Sequence, residues 1–140
     1  MAERSVPAAS VRPLRPARRA VVALLIDAAL VIVFAAIGRA SHEEGVLAGL
    51  WLTSWPFLAA LAVSWAVCLA WRAPLSPVRT GVPVWVVTVA GGMLLRAVSG
   101  QGVQLAFVIV AASVLLVMLV GWRLLASAVR RIRRRHHARA

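Results

Sequence analysis

Long apolar stretches separated by short polar segments dominate this chain. Three of these stretches have about twenty residues or more, a fourth is shorter, and a single charge, Asp27, interrupts them. A helix of about 20 apolar residues crosses a hydrocarbon core of roughly 30 Å. We therefore predict an all-α integral membrane protein whose four transmembrane helices occupy residues 20–38, 46–71, 82–99 and 103–122.

The third predicted span is unusual because its uncharged part, residues 82–95, is short. At 1.5 Å per residue it reaches only about 21 Å, so it must continue past Arg96 or thin the bilayer. Trp85, Thr88, Gly92 and Arg96 follow one another at helical spacing, which indicates a packing stripe with a small residue. The pair Gly91-Gly92 is also compatible with an alternative to the continuous helix, namely a broken helix that lines a cavity.

Composition agrees with a lipid environment. Apolar residues make up 62% of the 140 residues and the mean hydropathy is +0.89, whereas the apolar share of a soluble domain is nearer one half. The four spans, taken as residues 20–122, leave no room for a separate soluble domain. The single cysteine, Cys68, can make no intramolecular disulfide.

The orientation follows from the arginines, which supply all 16 basic residues. Fourteen lie before the first span, between the second and third, or after the fourth, whereas only Arg39 and Arg96 lie on the other side. The positive-inside rule predicts that both termini are cytosolic. The N-terminal end, residues 1–19, is rich in proline and arginine, and we predict that it is a disordered basic tail. The C-terminal end, residues 123–140, is an Arg-rich tail.

The basic C-terminal tail suits anionic lipid headgroups, because each arginine near such a surface contributes about 1 kcal/mol. We therefore expect the bilayer, and not nucleic acid, to be the partner of these arginines. The predicted headgroup contacts are Arg130, Arg131, Arg133, Arg134 and Arg135.

Asp27 is the most informative side chain, since a carboxylate within a span costs several kcal/mol unless it is paired, hydrated or protonated. We expect it to face the bundle interior at the level of Thr88, in a polar layer with Ser64 and Trp65. It is then either a structural acid or a protonatable coupling site. As a structural acid bound by hydroxyl groups, it should tolerate Asp27→Asn at little cost.

On the side of the membrane opposite the predicted cytosolic termini, the sequence contains a charged cluster. It consists of Arg39, His42, Glu43, Glu44 and Arg96. We expect Arg96 to pair with Glu43 or Glu44. Adjacent side chains such as His42 and the two glutamates rarely converge on one ion, so we predict no metal site. The sequence indicates no other cofactor.

Several short motifs resemble a family of small four-helix membrane proteins common in actinobacteria, the domain of unknown function 3054. The matching elements are Asp27-Ala28, Gly38-Arg39 with His42, Trp55-Pro56-Phe57, Gly81-Val82-Pro83-Val84-Trp85, Gly91-Gly92-Met93-Leu94-Leu95-Arg96 and Gly121-Trp122-Arg123. The resemblance implies the fold and a multi-pass location in a bacterial cytoplasmic membrane. It implies no activity and no residue roles.

No serine-histidine-aspartate set, P-loop, dinucleotide fingerprint or CxxC pair occurs in the sequence. We therefore predict a non-enzymatic protein with a structural, assembly or interaction role. The alternative is a small transporter or channel that works as a homo-oligomer, with Asp27 as its protonatable coupling residue.

The predicted orientation can be tested by thiol labelling. In a variant whose native Cys68 is replaced by alanine, a cysteine introduced at Glu44 should react with an impermeant reagent added outside intact cells. A cysteine introduced at Arg79 should react only after the membrane is opened. Reaction of the Glu44 position from the cytosolic side alone would reverse the orientation.

Overall fold

The computed structural model describes residues 16–40 and 46–137, and it is all-α. Four long helices occur in this part of the chain, and each is long and apolar enough to cross a membrane. This confirms the predicted fold class. The helices are α1 (Pro16–Ala40), α2 (Val46–Val67), α3 (Val82–Val98) and α4 (Leu105–His137).

Helix α1 begins earlier than predicted, at Pro16, so Arg18 and Arg19 belong to the helix and not to the tail. Proline is tolerated in the first turn because the backbone N–H that it lacks has no partner there, and its fixed φ suits a helix. The predicted disordered tail, residues 1–19, was therefore wrong for residues 16–19, which are helical. Residues 1–15 lie outside the described part of the chain.

Helix α2 ends at Val67, four residues before the predicted end of the second span. Leu69 adopts the left-handed conformation with φ of 48°, which stops the helix. A 3₁₀ turn at Ala70–Arg72 follows, and Ala70 is fully buried. The second span therefore ends earlier than predicted, and Ala70 packs into the core just after the turn. Residues 68–81 are hereafter the connector.

Helix α3 is preceded, without a break, by a π-helical turn at Pro77–Gly81. Together they form a helical segment of 22 residues, Pro77–Val98, about 33 Å long. The third span is thus long enough to cross a bilayer, because it starts before the predicted residue 82 as well as continuing past Arg96. The helix is also continuous through Gly91-Gly92, which excludes the broken-helix alternative.

Helix α4 has 33 residues and runs through the predicted boundary at residue 123. Most of the Arg-rich tail is therefore a helical continuation of the fourth span and not a separate segment. At 1.5 Å per residue the helix is about 50 Å long. It extends beyond the other three helices at the end of the bundle where α1 begins.

The four helices alternate in direction. Ser64 of α2 contacts Thr88 of α3, whereas Phe57, earlier on α2, contacts Gly92, later on α3, as antiparallel neighbours must. Each helix packs against the next one in the sequence, and α4 closes the bundle by packing against α1. The result is an up-down-up-down bundle.

All three phenylalanines of the sequence meet inside this bundle, one each from α1, α2 and α4. The Phe34 and Phe57 rings lie edge to face with centroids 5.4 Å apart, and Phe107 lies 6.3 Å and 6.2 Å from them. Helix α3 contributes no aromatic ring, and the Phe57 ring occupies the space beside Gly92 of this helix. This glycine allows α2 and α3 to approach closely.

Many large apolar side chains point outward. Leu25 of α1 is 63% exposed and Val117 of α4 is 70% exposed. In each candidate span only a minority of the residues is buried inside the bundle. An exposed apolar surface of this extent is that of a membrane protein facing lipid.

The close contact at Gly92 gives a testable prediction. A Cβ atom at this position meets the buried Phe57 ring, so Gly92→Ala should lower the free energy of unfolding by about 1–3 kcal/mol. Gly121→Ala is the control, because a Cβ atom there has no neighbour within 4 Å. Equal stability of the two variants in a denaturant titration would show that α2 and α3 are not packed as described.

Candidate functional site

Asp27 lies on the inward face of α1. The buried residues of this helix recur every three or four positions, as Ala20, Ala23, Asp27, Val31 and Phe34 do, so the aspartate occupies a core position in an otherwise apolar stripe. Its side chain is fully buried. The prediction that Asp27 faces the bundle interior and not lipid is confirmed.

Four N–H groups from two other helices donate to the Asp27 carboxylate. Oδ1 accepts from Trp122 Nε1 at 2.9 Å and from Arg123 Nη1 at 2.8 Å. Oδ2 accepts from Trp65 Nε1 at 2.9 Å and from Arg123 Nη2 at 2.6 Å. Each oxygen therefore has two donors, which satisfies the usual capacity of a carboxylate.

Arg123 is as fully buried as the aspartate that it binds. Beyond its two bonds to Asp27, it donates from Nε to the Pro74 carbonyl at 3.0 Å and from Nη1 to the Leu119 carbonyl at 2.6 Å. Four of the donor hydrogens of its guanidinium group are thus used. Two parallel N–H···O bonds to one carboxylate give the bidentate geometry in which arginine binds most strongly.

The pairing of Asp27 with Arg123 compensates the charge that each group brings into the core. A single charge in an apolar interior is very costly, whereas an ion pair whose remaining hydrogen-bonding groups are satisfied is tolerated. Here the charges of Asp27 and Arg123 cancel, and two indole N–H groups and two backbone carbonyls complete the shell. The arrangement is suited to a static link between α1, α2 and α4.

The connector is part of this link. Its Pro74 carbonyl accepts from buried Arg123, and its Leu75 carbonyl accepts from Ser127 at 3.3 Å and from Arg130 at 3.3 Å. Within the connector, the hydroxyl of Thr80 donates to the Ala73 carbonyl at 2.7 Å. Helix α4 therefore holds the connector through three side chains placed on one face at intervals of three and four residues.

The rest of the predicted polar layer is separate from the carboxylate. Thr88 was the expected partner of Asp27, but its hydroxyl donates to Ser64 Oγ at 3.3 Å. The Ser64 hydroxyl donates in turn to the Leu61 carbonyl at 2.7 Å. Of the predicted residues, only Trp65 binds Asp27. The stronger donors Arg123 and Trp122 take the sites that a hydroxyl would have filled.

Sequence reasoning missed Arg123, because it assigned this residue to a cytosolic tail that begins where the fourth span ends. A signal was present: Ala111, Leu115, Leu119 and Arg123 are spaced four residues apart, and all are buried. Extending the apolar stripe of α4 by one step reaches the arginine.

The outer charged cluster is described only in part, because His42, Glu43 and Glu44 lie outside the described residues. Arg39 donates to Thr53 Oγ1 at 3.4 Å. Arg96 donates to the side chain of Gln101 at 3.0 Å and lies over the Phe107 ring, 4.4 Å from its centroid. The pairing of Arg96 with either glutamate stays a prediction.

The five arginines predicted to contact headgroups differ in their surroundings. Arg130 contacts the connector through Leu75 and also donates to Ser127 at 3.2 Å. All five arginines are exposed. Among the described residues, no group of three or more His, Cys, Asp or Glu side chains could hold a metal ion.

Four apolar helices around a buried ion pair define the class: a four-helix protein of the transmembrane type. Residues 24–126 match the sequence profile of DUF3054, described as a protein of unknown function. The match covers most of the chain and includes both Asp27 and Arg123, so the chain belongs to this family. Neither the curated proteins nor the solved structures contain a significant match.

The ion pair changes the expectation for Asp27→Asn. The amide leaves the Arg123 charge buried without a counter-charge, so this variant, like Arg123→Gln, should lose about 3–5 kcal/mol of stability. The double variant should lose clearly less than the sum of the two single losses. Unfolding followed by tryptophan fluorescence gives these values.

Arg131→Gln, which removes an exposed charge from the same helix, serves as the control and should change stability by less than about 0.5 kcal/mol. Additive losses for Asp27→Asn and Arg123→Gln would contradict the direct contact between them.

Proposed function

We propose that this four-helix protein is a non-enzymatic integral membrane protein with a structural, assembly or interaction role. The observation that carries the proposal is the complete use of Asp27. Both carboxylate oxygens are occupied by donors from Trp65, Trp122 and Arg123. The one acid within the described spans therefore serves to join helices.

The transporter or channel alternative has less support. A coupling acid must exchange its proton with water or with a substrate along a pathway. Two cavities, with volumes of about 390 Å³ and 200 Å³, lie beside the connector, and Asp27 lines neither of them. Its counter-ion is the fully buried Arg123, and both carboxylate oxygens already accept hydrogen bonds, so the geometry presents Asp27 as a helix link and not as a group that lines a pathway.

We further propose that the protein resides in a bacterial cytoplasmic membrane with both termini in the cytosol. The support is the distribution of arginine, which is concentrated at the end of the bundle where α1 begins and α4 extends. A homo-oligomer is compatible with a structural role and is tested by the mass of the protein in detergent or nanodiscs.

Proton flux distinguishes the two functions. The full chain is reconstituted into liposomes that enclose a pH-sensitive dye, and a pH gradient and a membrane potential are applied. We expect the rate of internal pH change to equal that of protein-free liposomes. Thr88→Val, which removes a buried hydroxyl that does not contact Asp27, should give the same rate.

A flux above the protein-free rate that persists in Thr88→Val and disappears in Asp27→Asn would overturn the proposal and support the alternative. The Asp27→Asn sample must first be shown to be helical by circular dichroism, so that loss of flux is not loss of fold.

A further inference from the structure

A cavity of about 390 Å³ opens beside the connector, between the start of α1 and the extended part of α4. Its charged lining consists of Arg19 from α1 and Arg130 from α4, and its hydroxyl lining consists of Ser76 and Ser127. Its volume falls within the range of small-ligand sites. The lining includes Pro74, whose carbonyl accepts from Arg123, so the cavity borders the shell of the buried ion pair. Arg130 lies seven residues beyond Arg123, about 10 Å further along α4.

The cavity lining is rich in donors that have no acceptor among the described residues. Arg130 uses Nε and Nη2 to bind Ala126, Leu75 and Ser127, and its Nη1 takes part in none of these bonds. The side chain of Arg19 is exposed and makes no hydrogen bond within residues 16–40 and 46–137. The Ser76 hydroxyl accepts from the Arg79 backbone N–H at 3.2 Å and keeps its own hydrogen available.

The charge of this region is also uncompensated. Asp27 is the only acid among the described residues, and Arg123 already binds it through both oxygens. Arg19 and Arg130 thus face a common cavity without a carboxylate between them. Two like charges that line one cavity and belong to separate helices favour a ligand that supplies negative charge and several acceptor oxygens.

We propose that this cavity binds a phosphate ester group, with the phosphate between Arg19 and Arg130 and with Ser76 as a further donor. A phosphate offers oxygens to two guanidinium groups at once, and planar guanidinium groups match its geometry. Arg130 already makes hydrogen bonds to the Leu75 carbonyl and to Ser127, which reduces the side-chain entropy that is lost when the phosphate binds. The bound group joins α1 to α4 outside the buried ion pair.

The phosphate can come from an anionic phospholipid or from a soluble phosphate ester, and two probes distinguish these sources. For the lipid, the full chain is purified from nanodiscs that contain equal amounts of phosphatidylglycerol and phosphatidylcholine. Retained lipid is then counted by native mass spectrometry. For the soluble source, delipidated protein is titrated with glycerol 3-phosphate and its thermal unfolding is followed.

Matched variants assign any binding to the cavity. Arg19→Ala removes a cavity arginine that makes no hydrogen bond in the described structure, so the fold should be unaffected. Arg18→Ala removes the neighbouring exposed charge, which does not line the cavity. The pair Arg130→Ala and Arg131→Ala repeats this comparison on α4.

We expect one phosphatidylglycerol molecule to remain on the wild type and on the Arg18→Ala and Arg131→Ala variants. Its affinity should fall about fivefold in Arg19→Ala and by more than tenfold when Arg130→Ala is added, since each arginine near an anionic headgroup is worth about 1 kcal/mol. Stabilisation by glycerol 3-phosphate with the same dependence on Arg19 would instead support a soluble phosphate ester.

If Arg19→Ala and Arg18→Ala behave alike with both probes, the proposal is wrong and the arginines act only as a diffuse surface charge. The flux measurement above is independent of this outcome, because it reports on Asp27 and not on the cavity.

Discussion

The ion pair between Asp27 and Arg123 is the interaction on which the rest of this structure depends. A carboxylate at a core position of an apolar helix is tolerated only if an opposite charge reaches it and its remaining lone pairs are occupied. Arg123 reaches it with two bonds of 2.6 and 2.8 Å. Trp65 and Trp122 supply the other two donors, so three helices meet at one side chain.

This pairing has consequences for the arrangement of the chain. Arg123 enters the core because α4 continues as a helix past the end of its apolar run at Trp122. The Pro74 carbonyl completes the arginine's shell, so the connector must fold back over the pair. At the other end of the core, the Phe57 ring packs against Gly92 and brings α2 and α3 close together.

Hydropathy was sufficient to predict four helices, because every backbone polar group in lipid must be satisfied within the spanning segment. The inward position of Asp27 followed from the cost of exposing an acid to lipid. Its partner was mispredicted because the boundary of the fourth span was drawn where apolar residues stop, and an arginine beyond that boundary was assumed to be in water. A hydropathy average includes the residues on all faces of a helix, whereas burial of a side chain depends on the one face that it lies on. The early turn at Leu69 had no local glycine or proline signal.

The central claim is that the single aspartate of the chain is ionised and in contact with one arginine. Because Asp27 is the only aspartate in the sequence, labelling aspartate with ¹³C at the carboxyl and arginine with ¹⁵N at the guanidinium isolates this contact among the 16 arginines. Solid-state NMR of the protein in lipid at neutral pH should show a carboxylate chemical shift and strong ¹³C–¹⁵N dipolar dephasing that disappears in Arg123→Gln. A carboxyl signal with the shift of a protonated acid and without dephasing in the wild-type protein would contradict the account.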